Sequence, residues 1–419
     1  MTIVRSLLSA GELCRARGLG PEALRHLQSA KLRRIVEHAF ATVPFYRRLW
    51  TRYGLRPDHV QTVDDLHRLP VVDKSELQAT PVPSRLSASF DRSSLLELRT
   101  SGSTGRPMTL FRDRDFASHQ RLVFLRALLA AGLRPWHRLL LVTGENDSKR
   151  AGPPGWRYVS SEAPVETVLA AMRAHRPHMV YGFLTPLRHL AEAVRERGRP
   201  SPLRAVVSTA ETLDNATRTM LEEAFGAEVF DIYGCTEVGP VAWECSAHDG
   251  YHLAAETTIV ECLPQEAGEL CAVVLTSLDL RAMPLIRYAL GDLASLKVGP
   301  PCRCGCRLPR LDRIEGRIAD CVRLRDGRVR SPYHLTLALE QVEGLVRYQV
   351  VQTDLERFLV RAQGGAEPQI GQRIAAALRR EVGAAANIEV RWEANLEPPR
   401  GHKFRVVECR LPTGAVYAS

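Results

Sequence analysis

Glu228-Val229-Phe230-Asp231-Ile232-Tyr233-Gly234-Cys235-Thr236-Glu237 reads as an apolar strand running into a glycine turn that carries a hydroxyl and a carboxylate. The branched and aromatic residues from Glu228 to Ile232 suit a buried strand, and Gly234 marks where the chain can turn sharply. A carboxylate beyond such a strand can hold magnesium on nucleotide phosphates, a threonine hydroxyl can bind an α-phosphate, and a tyrosine ring can stack on a base. An incidental acid on a strand-end turn has the same pattern, so the weight of the reading comes from what flanks it.

On the N-terminal side, short β-rich runs at Arg138–Thr143, Met179–Tyr181 and Ala205–Ser208 alternate with helical stretches at Phe116–Ala131, Pro164–Ala174, Leu187–Arg197 and Asn215–Phe225. This alternation predicts an α/β architecture with parallel strands. Further upstream, Glu22–Trp50 has helical spacing of Leu24, Leu27, Leu32, Ile35 and Val36, stopped near Pro44. Downstream, Glu269–Leu275 and Leu285–Tyr288 are strand-like. After Arg317 the pattern becomes a smaller α+β unit, with strands near Val322–Leu324, Val346–Gln352, Phe358–Ala362 and Ile388–Trp392 and a helix at Ile370–Val382. The expected division is a large α/β domain over 1–317, a hinge at 318–321 and a small mobile α+β domain over 322–419.

Composition narrows the class. The chain has 419 residues, 45% of them hydrophobic and 25% charged, enough for two domains with a sizeable core. Met1 to Leu19 lacks an apolar run, and the most apolar region, Val123–Leu133, contains Arg126 and is too short for a bilayer, so a cytoplasmic protein without membrane contact is expected. The net charge of +10 is spread without a long basic run or a reader motif, which argues against nucleic acid and for ATP, coenzyme A or an acidic carrier protein. A homodimer is left open. Only Lys31, Lys74, Lys149, Lys297 and Lys403 among 57 basic residues are lysines, so a lysine inside a motif carries weight.

Four more segments carry chemistry. Thr100-Ser101-Gly102-Ser103-Thr104-Gly105-Arg106-Pro107 follows the strand-like Leu95–Leu98, and its glycines, hydroxyls and amides can wrap phosphate oxygens. Asp292, just after Gly291, suits two ribose hydroxyls. Gly316-Arg317-Ile318-Ala319-Asp320 stands at the change of pattern, and Gly401-His402-Lys403 places a compact ammonium near the C-terminus, suited to charge building on a phosphoryl oxygen.

Taken in this order, the five segments resemble the adenylate-forming superfamily of acyl-coenzyme A synthetases and adenylation domains. Leu69-Pro70-Val71-Val72-Asp73-Lys74, Pro284-Leu285-Ile286-Arg287-Tyr288 and Tyr348-Gln349-Val350-Val351-Gln352 make the resemblance closest to the phenylacetate-coenzyme A ligase family. The resemblance implies a phosphate loop at Ser101, Gly102, Ser103, Thr104 and Gly105, with Ala210, Glu211 and Thr212 lining the adenine and acyl site. It sets Asp231 toward the adenine amine and Tyr233 and Gly234 against the ring. Thr236 and Glu237 are implied to hold the α-phosphate and magnesium, Asp292 the ribose, Arg317 the nucleotide beside the hinge, and Lys403 the catalytic charge. Asp320 is read as the retained hinge acid beside Ala319, and His402 separates the usual Gly-Lys pair. Tyr181, Gly182 and Phe183 are expected to border the carboxylic acid.

Cys302 and Cys304, within Cys302-Arg303-Cys304-Gly305-Cys306, and Cys245 and His252 upstream predict a closed tetrahedral zinc site with a structural role, with His248 and Cys306 as competing ligands. The expected function is ATP-dependent activation of a carboxylic acid, most simply an aromatic one, as an acyl-adenylate that passes to coenzyme A. An amine or a carrier protein as acceptor, or a non-catalytic nucleotide- and zinc-binding scaffold, are the alternatives.

Overall fold

In the central strands alternate residues take opposite sides, and both sides are apolar, which requires helices on both faces. A computed structural model, describing residues 3–99, 108–144, 153–264, 271–394, 396 and 404–411, has this arrangement. A hairpin of β1 (Leu96–Arg99) and β2 (Thr109–Arg112) stands apart from the main sheet. The main sheet contains β3 (Leu139–Thr143), β4 (Trp156–Ser160), β5 (Met179–Phe183), β6 (Ala205–Thr209), β7 (Glu228–Cys235), β8 (Gly239–Glu244) and β9 (Tyr251–Leu253). It continues through β10 (Thr258–Pro264), β11 (Cys271–Ser277), β12 (Tyr288–Leu296) and β13 (Arg310–Arg317).

Among the described residues the sheet has 11 strands in the order β10-β11-β12-β13-β9-β8-β7-β6-β5-β3-β4. The half from β4 to β7 is parallel and the rest antiparallel, so β7 pairs in parallel with β6 and antiparallel with β8. Leu139, Leu141, Met179, Val207 and Phe230 face one core, packed by the N-terminal helices and the helix Arg114–Ala130. Leu140, Val142, Val180, Val206 and Val229 face the other, under helices Val165–His175, Leu184–Arg197 and Asn215–Phe225.

The expected helices and parallel strands fall within a few residues of their observed bounds. Pro44 does end the helix Pro21–Thr42, but it also starts a second one, Pro44–Arg52, because proline lacks the N–H that a first turn leaves unused. Leu285–Arg287 is not strand: β12 begins at Tyr288, and Arg287 has a left-handed backbone, φ +48°. Cys262 and Cys271 are joined by a disulfide across the β10–β11 ladder, a pairing not anticipated from the cysteine spacing.

The two family-like segments at 69–74 and 284–288 meet. Val72 N–H donates to the Arg287 carbonyl at 2.8 Å and Ala289 N–H to the Val72 carbonyl at 2.9 Å. The Arg287 guanidinium binds the carbonyls of His67 and Leu69 and the carboxylate of Glu261. From the helix Pro44–Arg52, buried Tyr46 donates to the Pro284 carbonyl at 3.0 Å and accepts from Ile286 N–H at 3.0 Å.

The C-terminal part has its own core. A short hairpin, β14 (Val322–Arg323) and β15 (Val329–Arg330), precedes a sheet of β16 (Leu345–Asp354), β17 (Arg357–Gly364), β18 (Asn387–Trp392) and β19 (Val407–Cys409) in the order β18-β17-β16-β19. Helices Pro332–Glu340 and Pro368–Val382 supply Leu335, Leu339, Ile374 and Leu378 to the core it shares with Val350, Phe358 and Val360. No described helix is long and apolar enough to cross a membrane.

Replacing Tyr46 with Phe strands the buried Ile286 N–H and Pro284 carbonyl, and should lower unfolding free energy by about 1–3 kcal/mol in urea titration. Unchanged stability would show that this hydroxyl does not organise the 284–288 segment.

Candidate active site

The parallel strands all end on one side, the edge where open α/β sheets place ligands. Here β6 runs into Ala210-Glu211-Thr212 and β7 into Thr236-Glu237. Ala210 has φ +75°, a left-handed conformation costly for a residue with a Cβ. Glu211 accepts from the Thr185 hydroxyl at 2.6 Å and from its N–H at 3.3 Å, tying the end of β6 to the helix after β5. The turn from β7 to β8 is so tight that a Cβ on Gly234 would lie 2.7 Å from the Gly239 carbonyl oxygen. Five of the residues named for the phosphate loop, Ser101, Gly102, Ser103, Thr104 and Gly105, lie outside the described residues, between β1 and β2; Lys403 also lies outside them.

Around this turn several expected residues come together. Tyr233 donates its hydroxyl to Asp292 at 2.8 Å, and the Arg317 guanidinium lies 3.4 Å from the other Asp292 oxygen. Burial and the neighbouring Asp292 charge hold the Tyr233 phenol well above its usual pKa, so it stays a donor. Glu237, almost buried, accepts from Tyr288 at 3.4 Å. Arg112 of β2 donates to the Thr236 carbonyl. A single carboxylate combined with substrate phosphates suits magnesium, and Glu237 fits that description. Tyr288 and Arg112 were not singled out from sequence: a tyrosine in an apolar segment and one arginine in an arginine-rich chain carry no distinguishing signal.

Two expected positions are corrected. Asp231 does not face a nucleotide surface: it is 4% exposed, with one oxygen bound by the Ser208 hydroxyl at 2.6 Å and the other by Tyr251 at 3.2 Å. Burial, with the nearby Glu244 charge, raises the Asp231 pKa to about 7. Gly182 is also turned away from Tyr181, onto the opposite sheet face, where an added Cβ would sit 3.0 Å from the Val142 carbonyl and 3.3 Å from Leu187. Tyr181 meets Phe124 edge-on at 4.8 Å, Trp156 meets the same ring edge-on at 6.4 Å, and partly buried Phe183 leads into the next helix.

On the other side of β8 a second cluster forms. Cys245 at the end of β8, His252 in β9, and Cys302 and Cys304 in the loop before β13 bring one ligand atom each to within 4.8 Å of one another. Cys245 and Cys302 sulfurs are 3.6 Å apart and the Cys304 sulfur is 3.3 Å from His252 Nε2. A tetrahedral zinc with bonds of about 2.0–2.3 Å needs ligand separations of roughly 3.3–3.8 Å, so these four residues fit the ion. Burial lowers the His252 pKa to about 4, leaving the neutral imidazole a metal takes, and pushes the Cys245 thiol up to about 12, an opposition to thiolate that a bound cation would offset. His248 instead pairs with Glu228 at 2.9 Å, and Cys306 joins the apolar core while its N–H points at the Cys304 sulfur at 3.4 Å.

The fold is that of the acyl-AMP-forming ligases. It superposes on a 2-hydroxyisobutyryl-CoA ligase in the postadenylation state with a TM-score of 0.80 and 20% identity, over 94% of this chain and 92% of that one. The same ligase in the thioesterification state, with 2-HIB-AMP and CoA, gives 0.65 over equal coverage. No protein-family model matches the chain. By sequence it is 31% identical over 352 residues to the phenylacetate-coenzyme A ligase of Thermus thermophilus, covering 79% of this chain and 78% of that protein. It is 28% identical over 329 residues to the Escherichia coli phenylacetate-coenzyme A ligase, covering 73% of each. The chain belongs to the phenylacetate-coenzyme A ligase family of adenylate-forming enzymes.

If the sulfur–imidazole cluster holds zinc, purified protein should retain stoichiometric zinc after dialysis. Cys245→Ser or Cys302→Ser should lose it together with several kcal/mol of stability. A zinc-free chain of unchanged melting temperature would end that reading. For Asp231, the folded pKa near 7 lies above the unfolded value of about 4, so its contribution is complete below about pH 4 and is lost as pH rises through 7, on the order of 4 kcal/mol. Asp231→Asn should flatten this fall in stability, and an unaltered slope would count against the assignment.

Proposed function

We propose that this chain activates a carboxylic acid with ATP as an acyl-adenylate and passes the acyl group to the thiol of coenzyme A, with an aromatic acid as substrate. One observation carries the reading. Arg405, two residues past Lys403, is ion-paired with Asp320; Asp320 follows Arg317 by three residues, and Arg317 contacts Asp292, which holds Tyr233. A continuous line of contacts thus leads from the C-terminal loop to the residues read as gripping the nucleoside. Phe404, directly after Lys403, stacks against Arg347 at 4.2 Å, and Gln349 binds the Arg405 carbonyl at 2.9 Å, so the chain beyond the lysine is anchored to β16.

In this reading Tyr233 takes the adenine face and Asp292 accepts from the ribose hydroxyls, while Ser101–Gly105 and Thr236 surround the phosphates. The acid's oxygen attacks the α-phosphorus, and the bond to pyrophosphate breaks in line with it. Glu237 would hold a magnesium ion, whose charge would lessen the repulsion between the two anions that must meet. Lys403 stabilises charge on the phosphoryl oxygens as that bond exchanges. In the second half-reaction the deprotonated thiol of coenzyme A attacks the acyl carbon and AMP leaves.

The proposed units are 1–317 and 322–419, turning about 318–321. The better match to the 2-hydroxyisobutyryl-CoA ligase in its postadenylation state than in its thioesterification state supports reading the present arrangement as the adenylation-side one. The Phe124, Trp156 and Tyr181 rings, with the phenylacetate-coenzyme A ligases among the relatives, support an aromatic acid. A structural zinc at Cys245, His252, Cys302 and Cys304 and a cytoplasmic location belong to the same proposal. A carrier protein or an amine as acceptor, and a dimer, are not required by it.

Pyrophosphate exchange over a panel of aryl, aliphatic and amino acids should select an aryl acid, and AMP release should then depend on coenzyme A. Lys403→Ala should lower adenylate formation by roughly 100-fold or more, yet still transfer an acyl group supplied as ready-made adenylate. Equal loss in both half-reactions would remove Lys403 from the adenylation step.

A further inference from the structure

We propose that Arg112 is a positioning residue for the adenylation half-reaction: it fastens the hairpin that carries the phosphate loop to the Thr236–Glu237 turn. The inference rests on reading that turn as the α-phosphate and magnesium site. It adds a residue that neither the motif pattern nor the resemblance assigns.

Strands β1 and β2 flank the hydroxyl-rich segment, with Leu96 opposite Arg112 and Arg99 opposite Thr109. The hairpin is not a member of the main sheet, so no ladder of backbone hydrogen bonds fixes it relative to β7. Arg112 spans that gap. Its guanidinium donates to the Thr236 carbonyl, lies over the Phe116 ring at 5.6 Å, and sits in the electrostatic reach of Glu237 and Cys235. Because the guanidinium is a rigid fork, holding one edge on a carbonyl fixes the orientation of the whole group.

Among the described residues this cation is only partly compensated. Arg112 has no carboxylate within ion-pair distance among the described residues, and its Nε is buried without a hydrogen-bond partner. Burial also lowers its pKa, which records the cost of keeping the charge there. A retained, incompletely satisfied cation beside a carboxylate that takes magnesium is suited to a site that fills with phosphate oxygens. Before ATP arrives it offsets the Glu237 charge. With ATP present it keeps the Thr236–Glu237 turn tied to strand β2.

The positions that depend on Arg112 are used in making the adenylate, while its transfer needs only the bound acyl group and the thiol. The two half-reactions should therefore separate. In the full chain, Arg112→Met should raise the KM for ATP in pyrophosphate exchange by roughly tenfold or more and raise the magnesium needed for half-maximal exchange. Thioester formation from ready-made acyl-adenylate should be much less affected. Arg112→Lys, which keeps charge but not the fork, should recover part of the loss. If Arg112→Met does not fold, Arg112→Lys carries the test through a smaller shift in the same two quantities.

Equal loss in both half-reactions with a lowered melting temperature would reduce Arg112 to a structural strut, and unchanged ATP and magnesium dependence would overturn the proposal outright. Glu237→Gln separates this outcome from a failure of the site reading. If Glu237→Gln keeps full exchange activity, the reading of the turn is wrong. If it is inactive while Arg112→Met is normal, only the present proposal fails.

Discussion

Strand β7 must satisfy two incompatible neighbours. It runs parallel to β6 and antiparallel to β8, so the chain has to reverse within Cys235 to Gly239. Parallel pairing leaves strand ends open at one edge, whereas antiparallel pairing lets the next strand return at once. The reversal therefore puts a tight turn at the edge where the loops after β5 and β6 also emerge. Gly234 is required there by contact, since any side chain would run into the Gly239 carbonyl, and Gly239 by its φ of +85°. Thr236 and Glu237 stand in the shortest connection of the sheet because of that constraint, and Tyr233, just before the turn, reaches Asp292 on β12.

The antiparallel half has a different weakness. Its strand β9 is three residues long, and β13 pairs with it only through Arg310 and Leu311. Such a short ladder holds little by itself. Cys245, His252, Cys302 and Cys304 lie across this junction, from the end of β8, from β9 and from the loop before β13. The same loop receives Arg17 from the N-terminal segment, through the Cys304 carbonyl at 2.8 Å. A cation at the cluster would thus fasten the weakest part of the sheet and the N-terminal helices together, well apart from the Thr236–Glu237 turn.

Much of this was legible in sequence because it depends on period and on chemistry that is local. The parallel strands are apolar on both faces and separated by helices with visible caps, such as Asp214 before Asn215–Phe225. The four sulfur- and nitrogen-bearing residues could be grouped as neighbours because each pair is close in the chain, and the structure does bring them together. What the sequence concealed depends on rotation about the strand. Asp231 and Tyr233 are two apart on β7, yet Asp231 is closed off by Ser208 and Tyr251 while Tyr233 reaches Asp292. Gly182 and Tyr181 group by sequence as one border of the acid, yet as successive residues of a strand they belong to opposite faces. Arg112 and Tyr288 act through contacts more than 50 residues away in the chain, which no local pattern encodes.

The candidate site is also already occupied by its own polar groups. Asp292 is engaged by Tyr233 and Arg317, Asp320 by Arg405, and Glu237 by Tyr288. Leaving such groups unpaired in a half-dry cleft would be costly, and the mutual bonds remove that cost before any ligand binds. A nucleotide arriving there must exchange these bonds rather than add to a vacant set, so its net gain comes from the groups still incompletely satisfied. Arg317, paired with Asp292, stands three residues before Asp320, which pairs with Arg405 where the C-terminal part begins. Two ion pairs joined by the backbone of residues 317–320 thus connect the residues read as the nucleoside position with the smaller unit, a physical basis on which a two-step reaction could use two arrangements of the same molecule.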